Sequence, residues 1–276
     1  MTGQEGQSQS RLTRGELKLF AYERVIDDIC NFNWINLTQK DLVNVAWVYY
    51  YFSVQFRENL EIARNLCPYD DRLRQLDQGE RNTDNLSPWP GVATIGERMN
   101  HDEFMRRTLA LTTVSESRRR DLADLGQAYL TKIRAMDDEN RASTIASYED
   151  GGLERVFRAI LKAPHWSTPL LQAFRHFLAE HIRFDSDPEQ GHGALCRHLT
   201  LDDRVHAPWA EFRNMLVRAA PRLTGGLNYL NYYWISKMSK STTQIASSDQ
   251  MHCFPQTVLP SMGMTILLPK AHDLHR

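Results

Sequence analysis

The 276-residue sequence predicts an all-α fold, and three features of it support that prediction. Apolar residues recur at intervals of three and four over long stretches, which is the spacing of one helix face. Residues that typically begin and end helices separate these stretches. No stretch alternates apolar and polar residues for long enough to form a sheet. We therefore expect one helical domain over residues 16–223, preceded by a disordered polar leader at residues 1–15.

Four helices are expected before residue 112. Thr38 suits the N-cap of the longest apolar stretch. Within that stretch Trp47–Phe52 is apolar nearly all round, so we expect this helix to be buried on several sides. The segment Leu86–Gly91 contains two prolines and a glycine, and it should break the chain before the fourth helix. The expected ranges are 17–31, 42–63, 70–85 and 97–111.

Three further long helices follow in the sequence. Ser115 suits the N-cap of the first. The second is weakened near its middle by the paired glycines at 151–152, since glycine is a poor helix former. Pro169 suits the first turn of the third, where its missing N–H costs nothing. The expected ranges are 115–135, 139–161 and 169–185.

The end of the chain is less regular. Helical character resumes near Ala194, and a last helix is expected to end before Pro221. The tail, residues 224–276, is rich in Thr, Ser and Met and contains no glutamate. Its pattern matches neither a helix nor a strand, so its structure is left unassigned.

Composition and charge narrow the kind of protein. The formal net charge is -1, which favours neither nucleic acid nor an acidic membrane surface as a partner. No apolar run is long enough to cross a bilayer. The four cysteines are widely spaced and form no CxxC pair, so we expect reduced thiols and a cytoplasmic location.

The most informative stretch for chemistry begins at His181. His181 and Asp185 are four residues apart, so on a helix they share one face. An imidazole and a carboxylate together suit iron or manganese. An isolated pair at this spacing is more often an exposed ion pair. Here, however, Leu178 and Ile182 indicate a largely buried helix, in which ionisable groups need partners or a metal.

His192 extends the same pattern. It lies eleven residues after His181, almost three whole turns, and therefore points the same way. An unbroken helix would place it about 16 Å further along the axis, too far to share one metal centre. Pro188 and Gly191 supply residues that break a helix, and a bulge there would bring His192 back.

Three other acidic or histidine-containing segments are candidates. Glu97 and His101 are four residues apart beside an apolar helix face. Glu149 lies between apolar turns just before the paired glycines, and Glu80 and Asp84 share a face before the proline-rich break. Taken alone, each of these residues is more often a solvated or capping side chain.

Together, residues 101–107, 148–152 and 181–193 resemble the haem-oxygenase-like diiron oxidase and oxygenase family. The resemblance covers roughly residues 40–223 and is most specific at the His181–Asp185–His192 element. It implies a compact haem-oxygenase-like bundle of about seven helices that contains no haem. It also implies a cofactor of two Fe²⁺ ions, with O₂ as co-substrate.

The resemblance also implies which residues bind iron. The family draws a glutamate and a histidine from one core helix, a glutamate from a second, and a His-Asp-His group from a third. The first glutamate usually lies about two turns before its histidine, and here that interval holds residues 91–95. We choose Glu80 for this role, with Asp84 and Glu97 as rivals. The six expected ligands are Glu80, His101, Glu149, His181, Asp185 and His192.

The function implied is O₂-dependent oxidation of a small organic metabolite of amino-acid, fatty-acid or aromatic-acid type. Homodimers are common in the family, and neither nucleic acid nor a membrane is an expected partner. The alternative is a bundle without metal: a thiamine-degrading (TenA-like) or cofactorless (PqqC-like) enzyme, or a helical binding protein. Metal content of the purified protein separates the two hypotheses.

Overall fold

The computed structural model describes residues 14–81, 86, 88–149, 151–185, 192, 195 and 203–225. The side chains of residues 14–20 and of Asp185 are outside this description. All of the described residues belong to the first of two units of the chain, Met1–Tyr233. The second unit, Trp234–Arg276, lies wholly outside them, as do the predicted leader up to residue 13 and the tail after Gly225.

The described part of the chain contains nine α-helices and no strand, which confirms the all-α prediction. Three short 3-10 helices, Trp34–Asn36, Asp203–Val205 and Pro221–Thr224, accompany them, the last of these after the final described α-helix. None of the described helices combines the length and apolarity that a bilayer span requires. The α-helices are α1 (Arg14–Cys30), α2 (Gln39–Leu66), α3 (Asp71–Glu80), α4 (His101–Leu109), α5 (Glu116–Arg134), α6 (Asp138–Glu149), α7 (Gly152–Ile160), α8 (Pro169–Asp185) and α9 (His206–Ala219).

The expected count of about seven helices is too low, and one reason is a break at Gly151. The sequence predicts a single helix over 139–161, whereas the structure has α6 and α7 there. Gly151 adopts a left-handed conformation with φ of 97°, which a helix cannot continue through. The break ends α6 at Glu149 and turns the chain toward α8, against which α7 packs.

Helix α2 is the central element. It contacts α3, α4, α5, α6, α8 and α9, which confirms the expectation that it is buried on several sides. Its start is fixed by a capping box: Thr38 Oγ1 accepts a hydrogen bond from the Asp41 N–H, and Asp41 Oδ2 accepts one from the Thr38 N–H. Tyr49 and Phe52 pack in a group of aromatic rings that includes Phe212.

Helix α4 begins later than the sequence indicates. The predicted range starts at Glu97, but Glu97 is in a turn in which its carboxylate accepts hydrogen bonds from the backbone N–H and hydroxyl of Thr94. Asn100 is extended and is the N-cap residue, so His101 is the first helical residue. This start places His101 at the N-terminal end of α4, facing α8.

Candidate metal centre

A buried group of imidazoles and carboxylates lies where α3, α4, α6 and α8 approach α2. Five of the six predicted ligands line one cavity, and they come from four helices and from the segment that contains His192. The sixth, Asp185, ends α8, and its side chain lies outside the described part of the structure. The five that meet are Glu80, His101, Glu149, His181 and His192.

Glu80 is at the centre of the group. One carboxylate oxygen, Oε2, accepts a hydrogen bond from Nδ1 of His101 over 2.7 Å. The other, Oε1, lies 2.9 Å from Nδ1 of His192. The two oxygens of one carboxylate therefore face two different histidines, both of which follow Glu80 in the sequence.

His181 adds a donor atom on the His101 side. Its Nδ1 lies 2.8 Å from the carbonyl oxygen of Phe177, one helical turn back. A carbonyl only accepts hydrogen bonds, so Nδ1 carries the hydrogen and Nε2 presents its lone pair. That Nε2 atom lies 3.1 Å from Nδ1 of His101. A ligating histidine typically has its second nitrogen bound to a carbonyl in this way.

Glu149 joins the group on the His192 side. One ligand atom each from Glu80, Glu149 and His192 lies within 4.8 Å of the others. The imidazole of His192 lies over the backbone of Gly79, where a Cβ atom would be only 2.8 Å from its Nε2. Only glycine therefore allows this approach to α3 without displacing the ring.

Both carboxylates stand at unfavourable ends of helices. Glu80 is the last residue of α3 and Glu149 the last of α6. The C-terminus of a helix carries partial negative charge, which repels a carboxylate and attracts a cation. Two buried or half-buried glutamates at two such ends therefore form a place where positive charge is strongly favoured.

Protonation in the centre also suits metal binding. Burial raises the pKa of Glu80, but the imidazoles of His101 and His192 outweigh it and hold the pKa far below its ordinary value. Burial, with a smaller effect from His101, lowers the pKa of His181 to about 3. At neutral pH Glu80 is therefore a carboxylate and His181 a neutral imidazole, the forms in which each binds a metal.

Aromatic and aliphatic side chains, together with Ser53, form the rest of the cavity wall. The space beside the ionisable groups is about 370 Å³, a volume that includes open solvent. Sequence reasoning did not single out most of its wall, because every aromatic residue of the α2 segment looks equally apolar. The spacing of the four α2 residues, at intervals of three and four, is the only signal that groups them. The wall consists of Tyr49, Phe52, Ser53, Phe56, Leu153 and Phe177.

The rivals of Glu80 have different outcomes. Glu97 is outside the centre, and its carboxylate pairs with Arg107 over 2.7 Å near the surface. A role for Glu97 as a ligand is therefore not supported. The residue lies before the start of α4, in the turn where its carboxylate binds Thr94. Asp84 lies outside the described residues. The choice of Glu80 is the one that the geometry favours.

In three comparisons with known proteins, the chain matches no protein-family model, no curated protein and no solved structure.

Proposed function

We propose that this protein is a non-haem diiron oxidase or oxygenase that uses O₂ to oxidise a small organic molecule. The observation that carries the proposal is the position of Glu80, whose two oxygens each face a separate set of donors. On one side are His101 and His181, and on the other are His192 and Glu149. A carboxylate in this position would hold metal together with both sets of donors.

The chemistry of the donors favours iron. The group offers imidazole nitrogens and carboxylate oxygens and, among the described residues, no cysteine lines the cavity. Such mixed N/O sites suit iron and manganese, whereas sites with thiolate ligands favour zinc or copper(I). The two glutamates bring two negative charges, which fits two divalent cations better than a dry site without metal.

Each residue then has a defined task. The chemistry that ferrous iron would supply, when bound, is electrons for the reduction of O₂. Glu80 would hold the two ions together, and the carbonyl of Phe177 fixes the ring of His181 in the orientation that its ligand role needs. Tyr49, Phe52 and the other apolar wall residues exclude water, which protects a reactive centre from side reactions.

The test is anaerobic loading with Fe²⁺ followed by desalting and metal analysis. We expect close to two irons per chain, and an optical transient when the loaded protein meets O₂. Glu80→Gln keeps the size of the side chain but removes its charge, and it should lose both ions. Glu97→Gln is the matched control, because it removes a carboxylate outside the cavity.

Two results would contradict the proposal. One is a protein that binds no iron although its circular dichroism shows intact helices. The other is equal iron content in Glu80→Gln and Glu97→Gln. The first result would favour the metal-free enzyme or binding protein that the sequence leaves as its alternative.

A further inference from the structure

A surface cleft lies along the face of α8 that points away from the candidate centre. Five of its lining residues come from α8, between Gln172 and Glu180, and their spacing places them in one stripe of the helix. His181 and its buried neighbours occupy the opposite stripe. The space in the cleft is about 1010 Å³, a volume that includes open solvent. The cleft and the candidate centre share no described lining residue, so the two are separate.

Two tryptophans form the aromatic walls of the cleft, and both are half-buried. Trp89 is held by paired backbone hydrogen bonds with Ala93, and its ring stacks on that of His176 with the ring centroids 4.6 Å apart. Trp166 donates its indole N–H to the carbonyl oxygen of Ala163 over 2.6 Å. Each indole is therefore fixed in place, so a flat ligand that stacks on it pays little to order the side chain.

Arg175 is the charged group that this cleft leaves without a partner in the described structure. It is exposed, and it makes no ion pair or side-chain hydrogen bond with the described residues. The one carboxylate among the described lining residues, Glu180, accepts hydrogen bonds from Nε and Nη2 of Arg183 over 3.0 and 2.7 Å. The two arginines and the glutamate together leave one positive charge at the cleft. The amide of Gln172 adds an uncharged donor in the same stripe.

We propose that this cleft binds a nucleotide, with its flat heteroaromatic ring on the indoles and its phosphate on Arg175. Indole faces stack on such rings, and a guanidinium is well suited to bind phosphate. Ala179 is the smallest of the lining side chains and leaves room for the ring against α8. A cleft of this size suits a ligand in which a sugar separates the ring from the anion better than a compact aromatic acid. The inference does not depend on the proposed diiron function.

Calorimetric titration of the full, metal-free chain tests the site. The probes are FMN and AMP, their phosphate-free forms riboflavin and adenosine, and the planar acid 2-naphthoate. We expect at least one nucleotide to bind about tenfold more tightly than its phosphate-free form, the usual worth of charge-assisted hydrogen bonds, and more tightly than 2-naphthoate. Binding of FMN alone identifies flavin nucleotides as the class, and binding of AMP alone identifies adenine nucleotides.

Arg175→Gln and Arg72→Gln form a matched pair of variants. Both arginines are exposed helix residues, and neither makes an ion pair with the described residues. Only Arg175 lines the cleft. We expect Arg175→Gln to abolish the advantage of the nucleotide over its phosphate-free form, while the phosphate-free form binds as before. Arg72→Gln should leave both affinities within about twofold of wild type, because solvent and salt screen a distant exposed charge.

Ala179→Met tests the position of the ring. The longer side chain would occupy the cleft, so nucleotide affinity should fall at least about fivefold, the lower end of what stacking on an aromatic residue contributes. Ala123→Met on α5 is the control, because Ala123 is also a half-buried helix residue but does not line the cleft. Met is a good helix former, so both variants should keep the helical circular dichroism of wild type.

The inference is overturned if neither nucleotide binds, if 2-naphthoate binds as tightly as both nucleotides, or if the two members of either pair of variants lose the same affinity. Its failure is distinct from failure of the proposed function. A protein that takes up two irons but binds no nucleotide retains the diiron proposal and loses this one. A protein that binds a nucleotide through Arg175 but takes up no iron does the reverse.

Discussion

Glu80 and Glu149 each end a helix at the pole where a negative charge is least favourable. A carboxylate at a helix C-terminus costs about 0.3–1 kcal/mol relative to a neutral group, and burial adds to that cost. Neighbouring imidazoles offset part of the cost for Glu80. Such a placement is a poor choice for stability alone, and it is the expected arrangement for residues that bind a cation.

At the same scale, His181→Ala is expected to abolish iron binding while the helical circular dichroism stays unchanged. The substitution removes Nε2, the atom that faces His101, and leaves the backbone of α8 intact. Loss of a ligand should lower iron affinity at least about 100-fold, since even loss of a ligand's supporting partner costs 10–100-fold. Metal content after desalting is the measurement.

His176→Ala is the control for that variant. His176 is on the same helix, but its ring stacks on Trp89 and its Nε2 bonds the carbonyl of Leu86, away from the centre. We expect iron content to stay at the wild-type level in this control. An unchanged iron content in His181→Ala would remove His181 from the ligand set.

Gly79→Ala is expected to weaken iron binding through His192. A Cβ at position 79 would be 2.8 Å from Nε2 of His192, so the ring must move away from Glu80. In an ordinary helix the same change stabilises by about 0.4–1 kcal/mol. We therefore expect lower iron affinity and no gain in stability in Gly79→Ala, measured by metal titration and urea unfolding.

The same substitution in a protein that lacks the His192 imidazole tests the proposed cause directly. In a His192→Ala protein the obstacle is gone, so Gly79→Ala should there recover the ordinary stabilisation of about 0.4–1 kcal/mol. The double-mutant cycle thus isolates the contact between residues 79 and 192. An equal effect of Gly79→Ala in both backgrounds would argue against that contact.

Single residues of the centre were predictable where they share a local pattern. His181 was identified from its position on a largely buried helix. No local pattern separates Glu80, the residue chosen as ligand, from its rival Glu97, because both precede His101 and the outcome depends on where α4 starts. That start is set by the turn at Thr94, in which Glu97 is engaged. The sequence likewise did not decide whether the chain bends back to bring His192 toward the other candidate ligands. Helix-breaking residues permit a bend without fixing its direction.

At the scale of the element, local signals predicted helix starts well. Thr38 and Ser115 both accept hydrogen bonds from N–H groups in the first turns of α2 and α5, as their side chains suggested. The sequence indicated a weak point at Gly151 but did not predict that the helix ends there. Paired glycines lower helix propensity, but the sequence does not show whether either of them adopts a positive φ. The two helices α6 and α7 were therefore predicted as one.

Asp41 connects the start of α2 to the end of the described chain, and its loss should destabilise the fold in a pH-dependent way. Burial raises the pKa of Asp41, but hydrogen bonds from Thr38 and Arg222 outweigh it and lower the pKa. The unfolded carboxyl titrates near pH 3.9. The stabilising contribution is therefore present above about pH 4 and is lost as the pH falls through the lower, folded pKa.

Asp41→Asn is accordingly expected to lower the free energy of unfolding by about 1 kcal/mol at pH 7, the typical worth of a cap. The difference from wild type should begin to shrink below about pH 4, where the carboxyl of the unfolded wild-type chain becomes protonated, and should vanish below the lower folded pKa. Urea unfolding at several pH values measures both effects. Asp71→Asn, an exposed acid in the first turn of α3, should change little. A pH-independent deficit in Asp41→Asn would contradict the assignment.

At the scale of the whole molecule, the centre connects segments that are far apart in the sequence. Glu80 and His192 are separated by more than a hundred residues, yet their side chains are in contact. The apolar face of each helix could be predicted from the sequence. The relative positions at which four helices pack together could not. Tyr49, Phe52 and Phe56 share one face of α2, and only the packing of α4, α6 and α8 around that face makes it a cavity wall.

Metal binding should therefore stabilise the entire domain and not one helix. The proposed ligands, from α3, α4, α6, α8 and the His192 segment, are brought together only in the folded chain. A metal that binds the folded state adds about 2.7 kcal/mol per site when its free concentration is 100 times Kd. For a domain of this size that corresponds to a rise in Tm of about 5–10 °C per site.

We expect this rise when Fe²⁺ is added anaerobically to the metal-free protein, and a return to the starting Tm on chelation. Mg²⁺ should have little effect, because it prefers oxygen ligands and retains its water. Glu80→Gln removes the carboxylate shared by both donor sets, so its Tm should no longer depend on Fe²⁺. A rise of equal size in Glu80→Gln would place the stabilising metal elsewhere in the molecule, since no metal held between these helices could be indifferent to the loss of that charge.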